Sequence, residues 1–163
     1  MKLLLIVFHS MTGGSQQMAE AAARGAEQDG GVEVRLIRAG DAGPDDVLQA
    51  DGYVFVTPEN LASMSGMMKD FFDRTYYAAL DRIAGRPYAA LVCAGSDGTN
   101  AVRQIERICT GWRLKPVCEP VIVCTHAQTP EQILAPKTIG FRELRRCEDV
   151  GGALAAGLSL GIF

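Results

Sequence analysis

Histidine and aromatic residues are scarce in this sequence. Only two histidines occur, and aromatic side chains make up 7% of the chain with a single tryptophan, which argues against a histidine-based metal centre. Charge of either sign is never gathered into a block: 16 basic residues face 19 acidic ones for a formal charge of -3, and scattered charge of this kind argues against a nucleic-acid partner. The five cysteines include no C-x-x-C pair and stand in apolar company such as "ALVCA" and "VIVCTH". They read as free, buried thiols of a reducing cytoplasm. No apolar run approaches the length of a membrane span, so no membrane insertion is expected. Repeats, low-complexity tracts and Pro/Ser-rich linkers are missing too, and 163 residues then suit one domain, 1–163.

What the chain does have is a series of short apolar and β-branched runs: "KLLLIVF" (2–8), "VEVRLIR" (32–38), "GYVFVT" (52–57), "PYAALVC" (87–93) and "PVIVCT" (120–125). These predict five strands. The first is too short for the apolar region of a secretory signal and reads as a strand of the domain. Most are continuously hydrophobic, as strands covered on both faces require, whereas "VEVRLIR" alternates and belongs at an edge. Helical stripes separate them: Met18, Ala21, Ala22 and Gly25; Met64, Met67, Met68, Phe71 and Phe72; Ala101, Ile105, Ile108 and Trp112; and finally Leu144, Cys147, Gly151, Leu154 and Leu158. "GPDDVLQA" puts Pro44 and two acids in the first turn of a brief helix. Alternating strands and helices with right-handed crossovers predict an α/β three-layer sandwich on a five-stranded parallel sheet of order 2-1-3-4-5, with ligands at the carboxyl ends of the strands.

Three loops fall at those ends. The first, Ser10-Met11-Thr12-Gly13-Gly14-Ser15-Gln16, leads from a strand into a helix, where free N–H groups and the positive dipole end attract an anion. It lacks the lysine of G-x-x-x-x-G-K-[ST], and no G-x-G-x-x-G with a following acid is present, since the second strand ends in Arg38. Taken alone, the loop is either a monophosphate cradle of neutral donors or a helix cap by Thr12 or Ser15. The second loop begins at Pro58, expected to stop its strand, and continues Glu59-Asn60-Leu61-Ala62 to a helix starting near Ser65. The third, Cys93-Ala94-Gly95-Ser96-Asp97-Gly98-Thr99, has glycines that permit close approach to a flat ligand or simply make a turn.

Together, "HSMTGGSQQMAEAAARGA", "ADGYVFVTPENLASMSGMMKDFFDRT" and "CAGSDGTNAVRQI" resemble, in order and over nearly the whole chain, the three flavin mononucleotide (FMN) loops of flavodoxin-like proteins. The middle segment is similar both to quinone reductases related to the tryptophan repressor-binding protein and to NAD(P)H-dependent FMN reductases. The resemblance implies that Ser10, Thr12, Gly13, Gly14, Ser15 and Gln16 bind the FMN phosphate. It implies further that Pro58, Glu59, Asn60, Leu61 and Ala62 line the isoalloxazine and that Ala94, Gly95, Ser96, Asp97 and Gly98 border its other edge. The expected function is NAD(P)H-dependent reduction of quinones or similar small-molecule acceptors through bound FMN, with NADPH or NADH as donor. The alternatives are a flavodoxin-type electron carrier without nicotinamide reductase activity, and a family member that has lost tight flavin binding. The FMN reductases usually carry an aromatic between the Glu and Asn of their second loop. Here none intervenes.

The remaining chemistry-bearing residues have plainer readings. Glu59 is expected to point to solvent. Cys93 fails the C-x5-R pattern of a phosphatase and reads as a small core residue. A phosphoacceptor receiver would need acids after the first strand, an aspartate ending the third and a lysine ending the fifth, where this chain has His9-Ser10, Thr57 and Thr125. His126 follows the fifth strand near the expected ligand edge. Tyr76, Tyr77 and Leu80, with the apolar "GLSLGIF", are surfaces on which a homodimer would form.

Overall fold

The computed structural model describes residues 1–28 and 30–163. Five long runs form parallel strands: β1 (Lys2–Phe8), β2 (Val32–Arg38), β3 (Gly52–Asn60), β5 (Pro87–Ala94) and β7 (Val121–Cys124). Two short strands complete the set, β4 (Ser63–Met64) and β6 (Lys115–Pro116). Among the described residues the sheet therefore has seven strands on the path β2-β1-β3-β5-β6, with β4 beside β3 and β7 beside β5, in place of the expected five-stranded 2-1-3-4-5 sheet. β6 pairs with Pro87 and Tyr88 at the start of β5, and β7 with Leu91 to Ala94 at its end. The last edge is thus supplied in two pieces, the chain leaving the ladder between Pro116 and Val121 where "VCEP" intervenes.

Alternation within each central strand divides the core in two. Leu3, Leu5 and Val7 of β1 face one side with Tyr53 and Phe55 of β3, while Leu4, Ile6 and Phe8 face the other with Val54 and Val56. The first side is covered by α2 (Pro44–Gln49), α3 (Gly66–Ala79) and α4 (Thr99–Gly111), and the second by α1 (Gly14–Glu27) and α6 (Phe141–Ser159). Both faces of the sheet are dry, which is why its strands carry continuous hydrophobic runs. β2, with only Val32 fully buried, lies at the edge its alternating sequence predicts. α1 and α6 cross closely because Gly151 abuts the backbone of Ala22, and Gly25 that of Glu148.

The methionine stripe is only partly helical. Met64 lies in β4, Met67 is exposed, and Met68, Phe71 and Phe72 are buried. Nor does Pro58 end its strand. β3 continues through it, paired opposite Cys93 of β5, and then folds back on β4 with Glu59 opposite Met64 and Asn60 opposite Ser63. A missing N–H at the end of a ladder removes a single hydrogen bond, so the strand tolerates it there. The hairpin tip is Leu61-Ala62, both left-handed at φ 50° and 62°, the backbone of a type I′ turn built without glycine or asparagine.

Because β1, β3 and β5 are neighbours, the loops after them meet at one end of the sheet. That is the crevice where an open α/β sheet changes direction and collects its ligands. The segment 125–139 after β7 reaches the same place and carries a short helix, α5 (Pro130–Leu134).

Candidate functional site

At this end lies a cavity of about 520 Å³, within the range of cofactor pockets. Its walls are the three loops and segment 125–139. From the first loop come Ser10, Met11, Thr12, Gly14 and Ser15; from the second Pro58, Glu59, Asn60 and Leu61; from the third Cys93, Ala94, Gly95 and Ser96. Five residues expected at the site do not line it: Gly13, Gln16, Ala62, Asp97 and Gly98.

Each of these has a local role that accounts for its position. Gly13 adopts φ 97° as the residue preceding α1, its N–H donating to Ser10 Oγ at 3.0 Å. Gln16 turns along the helix surface, donating to Glu20 and accepting from Arg38. The Ala62 carbonyl accepts from Asn100 at the start of α4. Asp97 accepts from the backbone and hydroxyl of Thr99, bonds that hold its carboxyl below the usual range. Gly98 stands at φ 88° where a Cβ would meet Ile122 Cγ2 at 2.7 Å, so the turn into α4 needs glycine there.

Neither Thr12 nor Ser15 caps α1, whose first turn has no side-chain cap and no acidic residue. Its leading N–H groups are left for another acceptor. Ser15 is 1% exposed, and its hydroxyl finds no hydrogen-bond partner among the described residues. A buried hydroxyl in that state costs stability unless a ligand satisfies it. Hydroxyls, small residues and a helix N-terminus form a donor set matched to a phosphate monoester.

Glu59 does not point to solvent. Its Oε2 accepts the Gly98 N–H at 2.6 Å, tying the second loop to the third. Cys93 is buried and its thiol is pushed up to about 11 by that burial, which leaves it protonated and without nucleophilic character. His126 is not among the lining residues, whereas its neighbours Thr125, Ala127 and Gln128 are. His9 N donates to the Val56 carbonyl, and its ring Nδ1 is buried without a partner.

Of the fourth wall, the sequence places the loop around His126 near the ligand edge, but Ile133 and Lys137 were not expected there. Lys137 Nζ lies 3.3 Å from Thr12 Oγ1, so the cradle is not made of neutral donors alone. One signal was available: Lys137 is the only lysine or arginine between Lys115 and Arg142, alone in a loop leaving a strand's carboxyl end.

The layered parallel sheet and the cavity at its carboxyl end define a flavodoxin-like protein. Solved structures with this fold include an archaeal flavodoxin (TM-score 0.77, 19% identity, 96% of this chain and 98% of that one). Another is the flavodoxin, WrbA-like protein of Agrobacterium tumefaciens (TM-score 0.72, 16% identity, 99% of both chains). Residues 1–129 match the family described as NADPH-dependent FMN reductase, and the chain belongs to that family. Among curated relatives, an NAD(P)H dehydrogenase (quinone) of Acidithiobacillus ferrooxidans is 35% identical over 46% of this chain and 48% of its own length. A flavodoxin of Aquifex aeolicus is 36% identical over 58% of this chain and 51% of its own. The matched stretches span about half the length of these relatives.

Proposed function

We propose that the cavity binds FMN and that the protein is an NAD(P)H-dependent reductase of quinones or similar small-molecule acceptors. The observation that carries this reading is the Ser15 hydroxyl, buried and unpartnered at the bare N-terminus of α1 inside the cavity. In this reading Ser10, Thr12, Gly13, Gly14, Ser15 and Gln16 form or shape the phosphate cradle. Pro58 to Ala62 and Ala94 to Gly98 form or brace the two edges around the ring, Gln16, Ala62, Asp97 and Gly98 acting through the local contacts described above. FMN, when bound, supplies the hydride chemistry between NADPH or NADH and the acceptor. The chain's own part is to orient the flavin and keep water from its buried edge. No protein acid or base is required, and the protonated Cys93 thiol is a wall.

The family membership and the quinone dehydrogenase relatives support a reductase. The flavodoxin of A. aeolicus supports the rival reading as an electron carrier. Anaerobic titration separates them: saturable FMN binding followed by bleaching with NADPH or NADH is the expected result. Binding with bleaching only through a protein reductase would favour the carrier, and no saturable binding at micromolar FMN would overturn both. A single cytoplasmic domain fits five cysteines that form no disulfide. No helix among the described residues is long and apolar enough to cross a membrane. A homodimer, with Tyr77 standing 82% exposed on α3, belongs to the same proposal.

A further inference from the structure

Segment 128–139 is fastened across the first loop rather than lying loosely beside it. Lys137 N donates to the Thr12 carbonyl at 2.9 Å. Gln17 Nε2 donates to the Lys137 carbonyl at 2.7 Å, and Gln17 Oε1 accepts from Ile139 N at 3.0 Å. A Cβ on Gly14, the first residue of α1, would lie 3.5 Å from both Lys137 Cβ and Ile139 Cδ1. The segment therefore roofs the N-terminus of α1, and Lys137 is its point of contact.

Among the described residues the Lys137 ammonium has only neutral partners. Nζ donates to the carbonyls of Gln132 and Ile133 at 2.8 Å each, to that of Ala135 at 2.6 Å and to Thr12 Oγ1 at 3.3 Å. Among the described residues no carboxylate forms an ion pair with it, while ten other ion pairs are present. An ammonium has three protons for these four oxygens, and the Thr12 contact is the longest of them. It is the one an incoming anion most readily replaces.

Three features thus converge on one end of the cavity: a cation without a counter-ion, a helix N-terminus without an acidic residue, and the unpartnered Ser15 hydroxyl. We infer that Lys137 is a specificity-determining residue that pairs with the terminal phosphate of the flavin and makes the site select FMN over riboflavin. This inference rests on the flavin reading above. Riboflavin has the same ring and ribityl chain but no charge to offer, so it gains nothing from the ammonium.

The test compares two ligands on one protein. Wild type, Lys137→Gln and Lys137→Arg are titrated with FMN and with riboflavin, following the quenching of flavin fluorescence. Lys137→Gln is expected to weaken FMN about tenfold or more, the scale of a charge-assisted hydrogen bond, and to leave riboflavin within about twofold. Lys137→Arg is expected to keep most of the preference. The FMN dissociation constant of wild type should also rise more steeply with salt than that of Lys137→Gln. If the glutamine variant weakens both flavins equally, Lys137 merely holds the roof together and the inference fails. It fails as well if wild type binds FMN and the variant binds it unchanged. Wild type that binds neither flavin overturns the flavin reading itself, and this inference with it. Should Lys137→Gln not fold, Lys137→Met keeps the apolar stem and carries the same comparison.

Discussion

Glu59 accepts the backbone N–H of Gly98 at 2.6 Å, so one carboxylate joins the two loops expected to flank the flavin ring. Removing it with Glu59→Ala should cost about 1 kcal/mol, a charged hydrogen bond discounted for partial exposure. Glu59→Gln keeps an acceptor and loses the charge. Its thermal midpoint should stay near wild type, while the reduction potential of the FMN-loaded protein moves to a more positive value, because a nearby anion opposes negative charge on reduced flavin. Thermal melts and a redox titration check this. A glutamine variant as unstable as alanine, with an unshifted potential, would contradict it.

Ser15 should show opposite effects in the free and loaded protein. Ser15→Ala deletes a buried hydroxyl that has no partner, so the unloaded protein should be as stable as wild type or up to about 1 kcal/mol more stable. FMN affinity should drop about tenfold, as expected when a hydrogen bond to a charged group is lost. Urea denaturation and flavin titration read the two arms. Lower stability with unchanged affinity would show that the hydroxyl is structural.

The hairpin tip holds Leu61 and Ala62 at positive φ, and Leu61 stands fully exposed at the cavity. A type I′ turn favours Asn-Gly. The double variant Leu61→Asn, Ala62→Gly should therefore gain about 1 kcal/mol, or roughly 2–4 °C in Tm. Flavin binding should weaken because an apolar wall residue has gone. A variant that melts lower than wild type would show that the turn is not strained.

His9 gives the protein a pH dependence of defined sign. Burial, with Arg38 adding to it, holds the imidazole below its ordinary 6.5. The unfolded chain thus takes up a proton in a window where the folded chain does not, and stability falls as pH drops from about 6.5 toward the depressed folded value. The contribution is fully present above that window. Denaturation at about pH 7.5 and about pH 5.5 should show the loss in wild type and a smaller one in His9→Gln. Equal slopes in the two proteins would remove His9 as the cause.

Much of the architecture was legible because the two-sided burial of β1, β3 and β5 forces unbroken apolar runs, and runs of that kind separated by helical stripes leave few arrangements. The edge was less legible: β6 is two residues long and β4 exists only because β3 doubles back. Short strands carry almost no periodicity. At the site, eleven of the expected residues line the cavity because three loops follow three neighbouring strands. The miss at Glu59 has a different origin. Its orientation depends on Gly98, 39 positions away, and surface statistics for glutamate know nothing of such a partner.

By itself the sequence determined where the five long strands and the principal helices between them run, which faces are dry, and that small hydroxyl residues stand where a helix begins. Those are local facts, set by residue type and by spacing along the chain. Only the tertiary structure decided what sits opposite them. It leaves the Ser15 hydroxyl without a partner and brings Lys137 across 125 positions to Thr12. A cation's range is a few ångströms in space and is unrelated to distance along the chain, so the charge of the cradle became visible only after folding.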